Sequence, residues 1–168
     1  MPGKIDIRAF RQPDWNSTWA ILEPVFRAGD TYSFSSDISE SEARQVWVNV
    51  PEATFVAEDP AGQVLGTYFL KPNQPGQGSH VGNCGYVVAA ASRGQGIASA
   101  MCEHSQTEAI RRGFRALQYN YVVATNTGAV RLWQKHGFEI VGTLPHAFRH
   151  PSEGYVDVYV MYKQLVGG

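Results

Sequence analysis

The segment Ser92–Met101, SRGQGIASAM, gathers residue types that bind anions: two glycines, an arginine and the opening of a helical stripe of small apolar residues. Gly94 and Gly96 permit a tight turn and let a ligand approach the backbone without a Cβ in the way. The first amides of the following helix, at Gly96, Ile97 and Ala98, have no intrahelical acceptor and stand at the positive end of the helix dipole. Arg93 adds a full charge there, and Gln95 lies between the glycines. A phosphate or diphosphate suits that description. The glycine spacing differs from a dinucleotide fingerprint, and no Lys-Ser or Lys-Thr pair follows as in a triphosphate loop. On this segment alone, a solvated glycine turn without a ligand stays open.

Three asparagines form the second set. Asn83 stands on a predicted strand just before the glycine turn, and Asn120 lies in the middle of another, although Asn is a poor strand residue. Strand alternation places Leu117, Tyr119 and Tyr121 on one face and Gln118, Asn120 and Val122 on the other. An unpaired buried amide costs roughly 1–3 kcal/mol, so these two want each other, a water or a substrate. Asn126 sits where that strand turns into a helix, as a cap for the orphan amides or as a ligand contact.

The elements that must position these residues follow from periodicity and punctuation. Ile5–Phe10 alternates as a first strand, and Trp15–Arg27 carries a helical face with Pro24 as its expected kink or end. Ser39 and Glu42 form a capping-box pattern opening a helix through Trp47. TFVAE and VLGTYFLK flank DPAGQ as a hairpin. The stretch His80–Val88 reads as strand, Ile97–Arg112 as the strongest helix with Gly113 ending it, and Ala116–Val123 as strand. Ala129, Leu132, Trp133 and His136 give the next helix its face. FEIVGTL is a strand, PHAFRHPSEG a long loop and YVDVYVMYKQL a last alternating strand. The sum is one α/β domain over residues 1–168, a mixed, mostly antiparallel central sheet of about seven strands flanked by about four helices, with one strand–helix–strand crossover.

Composition excludes several classes. Of 168 residues 43% are hydrophobic and 17% charged, so the chain is globular, and a net charge of -1 argues against a nucleic-acid partner. Cys84 and Cys102 make neither a disulfide framework nor a metal spacing, and no metal is expected. No apolar run approaches membrane-spanning length and no secretory leader opens the sequence. A cytoplasmic protein without membrane association is the expectation.

Arg93, Gly96 and Ala98 match the (Gln/Arg)-x-x-Gly-x-(Gly/Ala) signature, and Asn126, Ala129, Leu132 and Lys135–Phe138 match a second segment, of the GNAT N-acetyltransferase superfamily, which the chain resembles over nearly its whole length. The resemblance implies acetyl-coenzyme A as co-substrate, its pyrophosphate on Arg93–Ala98, its pantetheine along Val87 and Val88, and contacts at Asn126 and Trp133. Trp133 stands where the family often has a Tyr that protonates the leaving thiolate, and an indole does not ionise usefully. Ala90 replaces a frequent Pro. Asn83, Tyr86, Asn120 and Asn126 together resemble the azetidine-2-carboxylate acetyltransferases of fungi and their bacterial relatives, which implies that Asn83 and Asn120 position the acceptor.

Acetyl transfer to an amine requires a neutral nitrogen near the thioester carbon and donors for the oxyanion. A backbone amide at Val87 or Val88 is the expected donor, with direct attack through a tetrahedral intermediate. No strand-borne Glu near Asn83 offers a base, so deprotonation passes through water at Asn83, Asn120 or a carbonyl, or the free-base amine is selected. Tyr86 or Tyr121 is a candidate proton source. Two loops shape the acceptor side: FRAGDTYSF, with Tyr32, and PHAFRHPSEG, where Arg149 offers a fork for a carboxylate. The expected enzyme acetylates a small amino acid or a similar xenobiotic, as a homodimer. A protein N-terminal or antibiotic acetyltransferase, or a non-catalytic acyl-coenzyme A module, remains open.

Overall fold

The computed structural model describes residues 3–167. A seven-stranded sheet forms the middle layer, built from β1 (Asp6–Ala9), β2 (Ala53–Glu58), β3 (Val64–Pro72), β4 (Val81–Val88), β5 (Ala116–Val123), β6 (Glu139–His150) and β7 (Gly154–Gln164), in the order β1-β2-β3-β4-β5-β7-β6. Neighbouring strands are antiparallel except β4 and β5. One face carries α1 (Trp15–Ala28) and α2 (Glu40–Arg44), and the other carries α3 (Ile97–Arg111) and α4 (Thr127–Lys135). The β4–α3–β5 unit is the expected crossover. A second follows: β5 and β6 both run antiparallel to the β7 strand between them, so α4 also joins two parallel strands.

Central β3 is buried from Val64 to Leu70, because helices cover both faces. On the α1 side Trp47, Phe26, Leu22 and Phe69 make the core; on the α3 side Met101, Leu117, Tyr68 and Phe138 do so. The Ser39–Glu42 capping box forms in both directions, with Glu42 N–H donating to Ser39 Oγ at 3.2 Å and Ser39 N–H to Glu42 Oε2 at 2.9 Å. A π-helical turn, Gln45–Asn49, then brings Trp47 inward, where its Nε1 donates to Thr67 Oγ1 at 3.1 Å.

Two expectations about elements are overturned. α1 neither kinks to a stop nor ends at Pro24; it continues to Ala28 and closes on Gly29 at φ 64°. Pro24 lies on the exposed face, while Phe26 anchors the last turn in the core. The segment PHAFRHPSEG is not a long loop. Residues 145–150 complete β6, and the chain turns at 151–153 into β7. Pro145, His146 and Ala147 form a bulge opposite Asp157, whose carboxylate accepts the His146 N–H at 3.0 Å. Pro145 and the turn-like SEG sequence disguised a strand that tolerates them at an edge and at a hairpin end.

Candidate active site

β4 and β5 pair only at their beginnings, Val81 with Ala116 and Gly82 with Leu117, and then diverge. Side chains on the sheet face that α1 covers hold the edges of the gap. Asn83 Nδ2 donates to the Gln118 carbonyl at 2.9 Å and ties the vertex. Above it the Tyr32 hydroxyl accepts from Tyr86 N–H at 2.8 Å and donates to Tyr86 C=O at 2.9 Å. Main-chain groups that would otherwise seek a neighbouring strand are therefore satisfied while the strands stay apart. Gly85 makes this possible: a Cβ there would lie 2.6 Å from Phe69 Cε1 and 3.1 Å from the Tyr32 hydroxyl.

The same alternation selects between Val87 and Val88. Ala89 N–H donates to the Leu65 carbonyl of β3 at 2.8 Å, so the odd-numbered residues here turn their amides toward β3. Tyr86 turns its amide to Tyr32 in the gap, and Val88, two residues on, points its own the same way. The Val87 side chain packs in the α1-side core instead.

At the wide end of the gap, Arg93 leads into Gly94 and Gly96, both left-handed at φ 76° and 79°. No described residue lies within 4 Å of a Cβ built on either glycine, so the turn is open on that side. Gly96 offers no side chain to cap α3. Among the described residues, no protein group accepts from the N–H groups of Gly96, Ile97 or Ala98. His136 Nε2 meets Ser99 Oγ at 2.6 Å and fastens the end of α4 to the first turn of α3.

Beneath the gap, on the α3 side, runs a chain of hydroxyls. Ser105 Oγ donates to the Cys102 carbonyl at 2.8 Å, so it accepts from Tyr86 OH at 2.6 Å, which in turn accepts from Tyr119 OH at 2.7 Å. All three protons are directed inward. Burial holds both phenols well above their ordinary pKa. The Tyr86 proton is thus directed to Ser105, and the ring centre lies 4.8 Å from that of Trp133 with the planes tilted by 40°. Burial also pushes the Cys84 thiol up to about 12 and the Cys102 thiol up to about 11, which disfavours the thiolate form of both. Tyr121 departs from the expected alternation. Asn120 and Tyr121 form a bulge opposite Val160, so Val122 takes the inward position, and the Tyr121 hydroxyl reaches the Ala147 carbonyl.

The gap opens into a cleft of about 1050 Å³ that reaches both faces of the sheet. A model of the acetyltransferase (GNAT) family matches residues 15–138, from the start of α1 to the residue after α4 and Gly137. This chain belongs to the GNAT family. Among solved structures, a GCN5-related N-acetyltransferase from Kribbella flavida shares 41% identity, with 95% of this chain and 97% of that one covered at a TM-score of 0.91. A GNAT superfamily phosphinothricin acetyltransferase from Sinorhizobium meliloti, solved in complex with AcCoA, shares the fold at a TM-score of 0.85 and 19% identity, over 98% of this chain and 90% of that one. N-acetyltransferase aca1 of Schizosaccharomyces pombe is 32% identical over 148 residues, which span 79% of this chain and 71% of that protein. Acetyl-coenzyme A-dependent acetyl transfer is thus the general chemistry of this fold and family.

In this GNAT acetyltransferase the cleft brings together Asn83, Asn120, Asn126, Tyr32, Tyr86, Val87, Val88, Arg93 and Trp133. Gly94–Ala98 adjoin it at the glycine turn. Asn126 makes no side-chain cap on α4, so its amide stays available to the cleft. Asn120 is exposed at the mouth, accepting from Gln118 Nε2 at 2.9 Å and donating to Asn73. It does not meet Asn83. Arg149 lies outside the cleft lining, on β6 opposite Tyr155. Asp30, from the FRAGDTYSF loop expected on the acceptor side, lines it, and so does Lys71, a charged residue that motif reasoning passed over. Only the register of β3 against β4 reveals Lys71, by placing it beside Asn83. No group of three or more potential metal ligands occurs among the described residues.

Proposed function

We propose that this enzyme, acting as a single domain over residues 1–168, transfers the acetyl group of acetyl-coenzyme A to the amine of a small amino acid, amino-acid analogue or similar xenobiotic. One observation carries the reading: the open N–H groups of the glycine turn stand at one end of a splayed sheet whose other face presents Asn83, Asp30 and Lys71. The donors fit a diphosphate, because nothing fills the space beside Gly94 and Gly96 and Arg93 lines the same cleft. Val87, Val88, Asn126 and Trp133 wall the path from that turn to the vertex.

Bound acetyl-coenzyme A supplies an activated thioester. Val88 N–H, directed into the gap, is the donor for the oxygen that gains charge. Asn83, fixed through its Nδ2, keeps Oδ1 to orient an amine N–H. Asp30, the only carboxylate among the described residues that line the cleft, takes the amine's proton, directly or through water. The amine nitrogen bonds to the acetyl carbon, the carbon–sulfur bond breaks, and one proton reaches the sulfur to give the amide and free thiol. With Tyr86 committed inward and Trp133 non-ionising, solvent protonates the thiolate, an undemanding step for a thiol of pKa about 8.5.

The likeness of Asn83, Tyr86, Asn120 and Asn126 to azetidine-2-carboxylate acetyltransferases supports amino- and imino-acid acceptors. A homodimer is supported by edge strand β6, where Ile140, Val141 and Leu144 are exposed. Val141→Lys is expected to convert a dimer to a monomer in light scattering. Among the described residues no helix is long and apolar enough to cross a membrane, and two unpaired thiols suit a reducing, cytoplasmic setting. Thiol release from acetyl-coenzyme A across free amino acids, cyclic imino acids, short peptides and aminoglycosides tests the acceptor class. Turnover confined to peptides or aminoglycosides overturns it, and coenzyme binding with no thiol release replaces it with a non-catalytic module.

A further inference from the structure

The positive charges lining the cleft divide by location. Arg93 belongs to the glycine turn, whereas Lys71 stands at the far end of β3, on the sheet face that α1 covers. Lys71 is half-buried, its Nζ lies 5.4 Å from the centre of the Phe69 ring, and it makes no hydrogen bond or ion pair among the described residues. Other cations close to the core are engaged: Arg8 with Asp14 and Glu58, Arg112 with Glu108, and Lys163 with Gln106 and the His136 carbonyl. A part-desolvated ammonium held against an aromatic ring in a cleft, without a counter-ion, is arranged for an anion that arrives with the ligand.

Geometry narrows that anion. Lys71 and Asn83 are direct partners in the antiparallel register of β3 and β4, so both side chains rise from the same face, with Cβ atoms roughly 5 Å apart. Asn83 Oδ1 has no protein partner among the described residues, while Nδ2 is tied to Gln118. A positive donor and a neutral acceptor thus stand side by side at the vertex. An α-amino or α-imino acid carries the complementary pair, a carboxylate and an N–H on one carbon.

We infer that Lys71 binds the α-carboxylate of the acceptor while Asn83 Oδ1 accepts from its amine, which makes the enzyme selective for free amino and imino acids over simple amines and over peptide N termini. This rests on the transferase reading above. A peptide offers an uncharged carbonyl where the carboxylate belongs, and a decarboxylated amine offers nothing, so each leaves the ammonium without a partner.

The test compares kcat/KM for L-proline, L-proline amide and pyrrolidine, and for azetidine-2-carboxylate and azetidine, in wild type, Lys71→Met and Lys71→Arg. Wild type is expected to favour each acid over its uncharged analogues by about 10- to 100-fold, the range of a charge-assisted hydrogen bond. Lys71→Met is expected to bring the ratio near one, chiefly through KM of the acid, and Lys71→Arg to restore part of it. Calorimetry with coenzyme A verifies that both variants are folded. A wild-type ratio near one, or a ratio that Lys71→Met leaves intact, overturns the role of Lys71 while the transferase stands. Absence of turnover with every acid and amine, despite coenzyme A binding, overturns the transferase reading and this inference with it.

Discussion

Tyr32→Phe deletes a single oxygen, yet that oxygen serves both polar groups of the Tyr86 main chain, accepting at 2.8 Å and donating at 2.9 Å. The ring itself stays, held edge-on by Phe26 and Trp47 and stacked on Phe34. Each lost bond is worth about 1 kcal/mol net, and a buried group left without any partner about 1–3 kcal/mol. Water from the cleft replaces part of this, since the gap communicates with a cavity of about 1050 Å³. The expected loss of stability is therefore about 1–2 kcal/mol. With a urea slope of about 2 kcal/mol/M, the midpoint moves down by roughly 0.5–1 M. Because the hydroxyl also keeps the edge of β4 from seeking β5, its removal displaces Val88 and lowers kcat/KM for acetyl transfer by about tenfold. Equilibrium unfolding and a thiol-release assay on the same preparation read both effects. A variant with unchanged midpoint and unchanged kcat/KM refutes the idea that Tyr32 props the strands apart.

Gly96→Asp places a side chain at φ 79° and a negative charge beside the diphosphate donors, so coenzyme A affinity by calorimetry is expected to fall at least tenfold; unchanged affinity removes the phosphate from this turn. With thiol pKa values pushed up to about 12 and about 11, Cys84 and Cys102 are expected to resist iodoacetamide at pH 8 in the native protein and to react on unfolding; rapid native labelling of Cys84 refutes its burial. Arg8 holds both oxygens of Asp14 at 2.8 and 2.9 Å and keeps that carboxyl below its usual range. This contribution is present above the unfolded carboxyl pKa and is lost as pH falls through the depressed folded value. Arg8→Met is expected to cost about 3 kcal/mol at pH 7 and visibly less at pH 3; a difference independent of pH refutes the pairing.

The fold was legible because hydrophobic periodicity and turn chemistry agreed along most of the chain. The hairpin around DPAGQ, the small-residue face of α3 and the capping box at Ser39 each have a local cause that a sequence displays. The exceptions arose where tertiary packing overrode a local signal: Pro24 inside α1, and the Pro145–Ala147 bulge that carries β6 through a loop-like composition. The open donors of the glycine turn were legible for the same reason as the helices, since they lie on consecutive residues. The acceptor side was not. Lys71 and Asn83 are neighbours through strand pairing, and Tyr32 meets Tyr86 across 54 positions, relations that no window along the chain contains. The bulge at Asn120 and Tyr121 had the same effect in miniature, reversing the face of Val122.

A sheet with two satisfied neighbours at every central strand has no passage through it, so an enzyme that joins two substrates from opposite faces must break its own ladder. Here the break lies between β4 and β5, where the Tyr86 main chain is held by the Tyr32 hydroxyl and the vertex by Asn83, and where the proposed mechanism gives Val88 N–H the reacting oxygen. On this reading the coenzyme's diphosphate rests at the mouth of α3, the acceptor's carboxylate at Lys71, and the reacting atoms meet in the gap between. The arrangement asks little of acid–base chemistry, which accounts for the tolerance of Trp133 in place of an ionising residue. It asks much of spacing, and for that reason the hydroxyl chain below the gap, Tyr119 to Tyr86 to Ser105, carries its protons inward and holds the floor still.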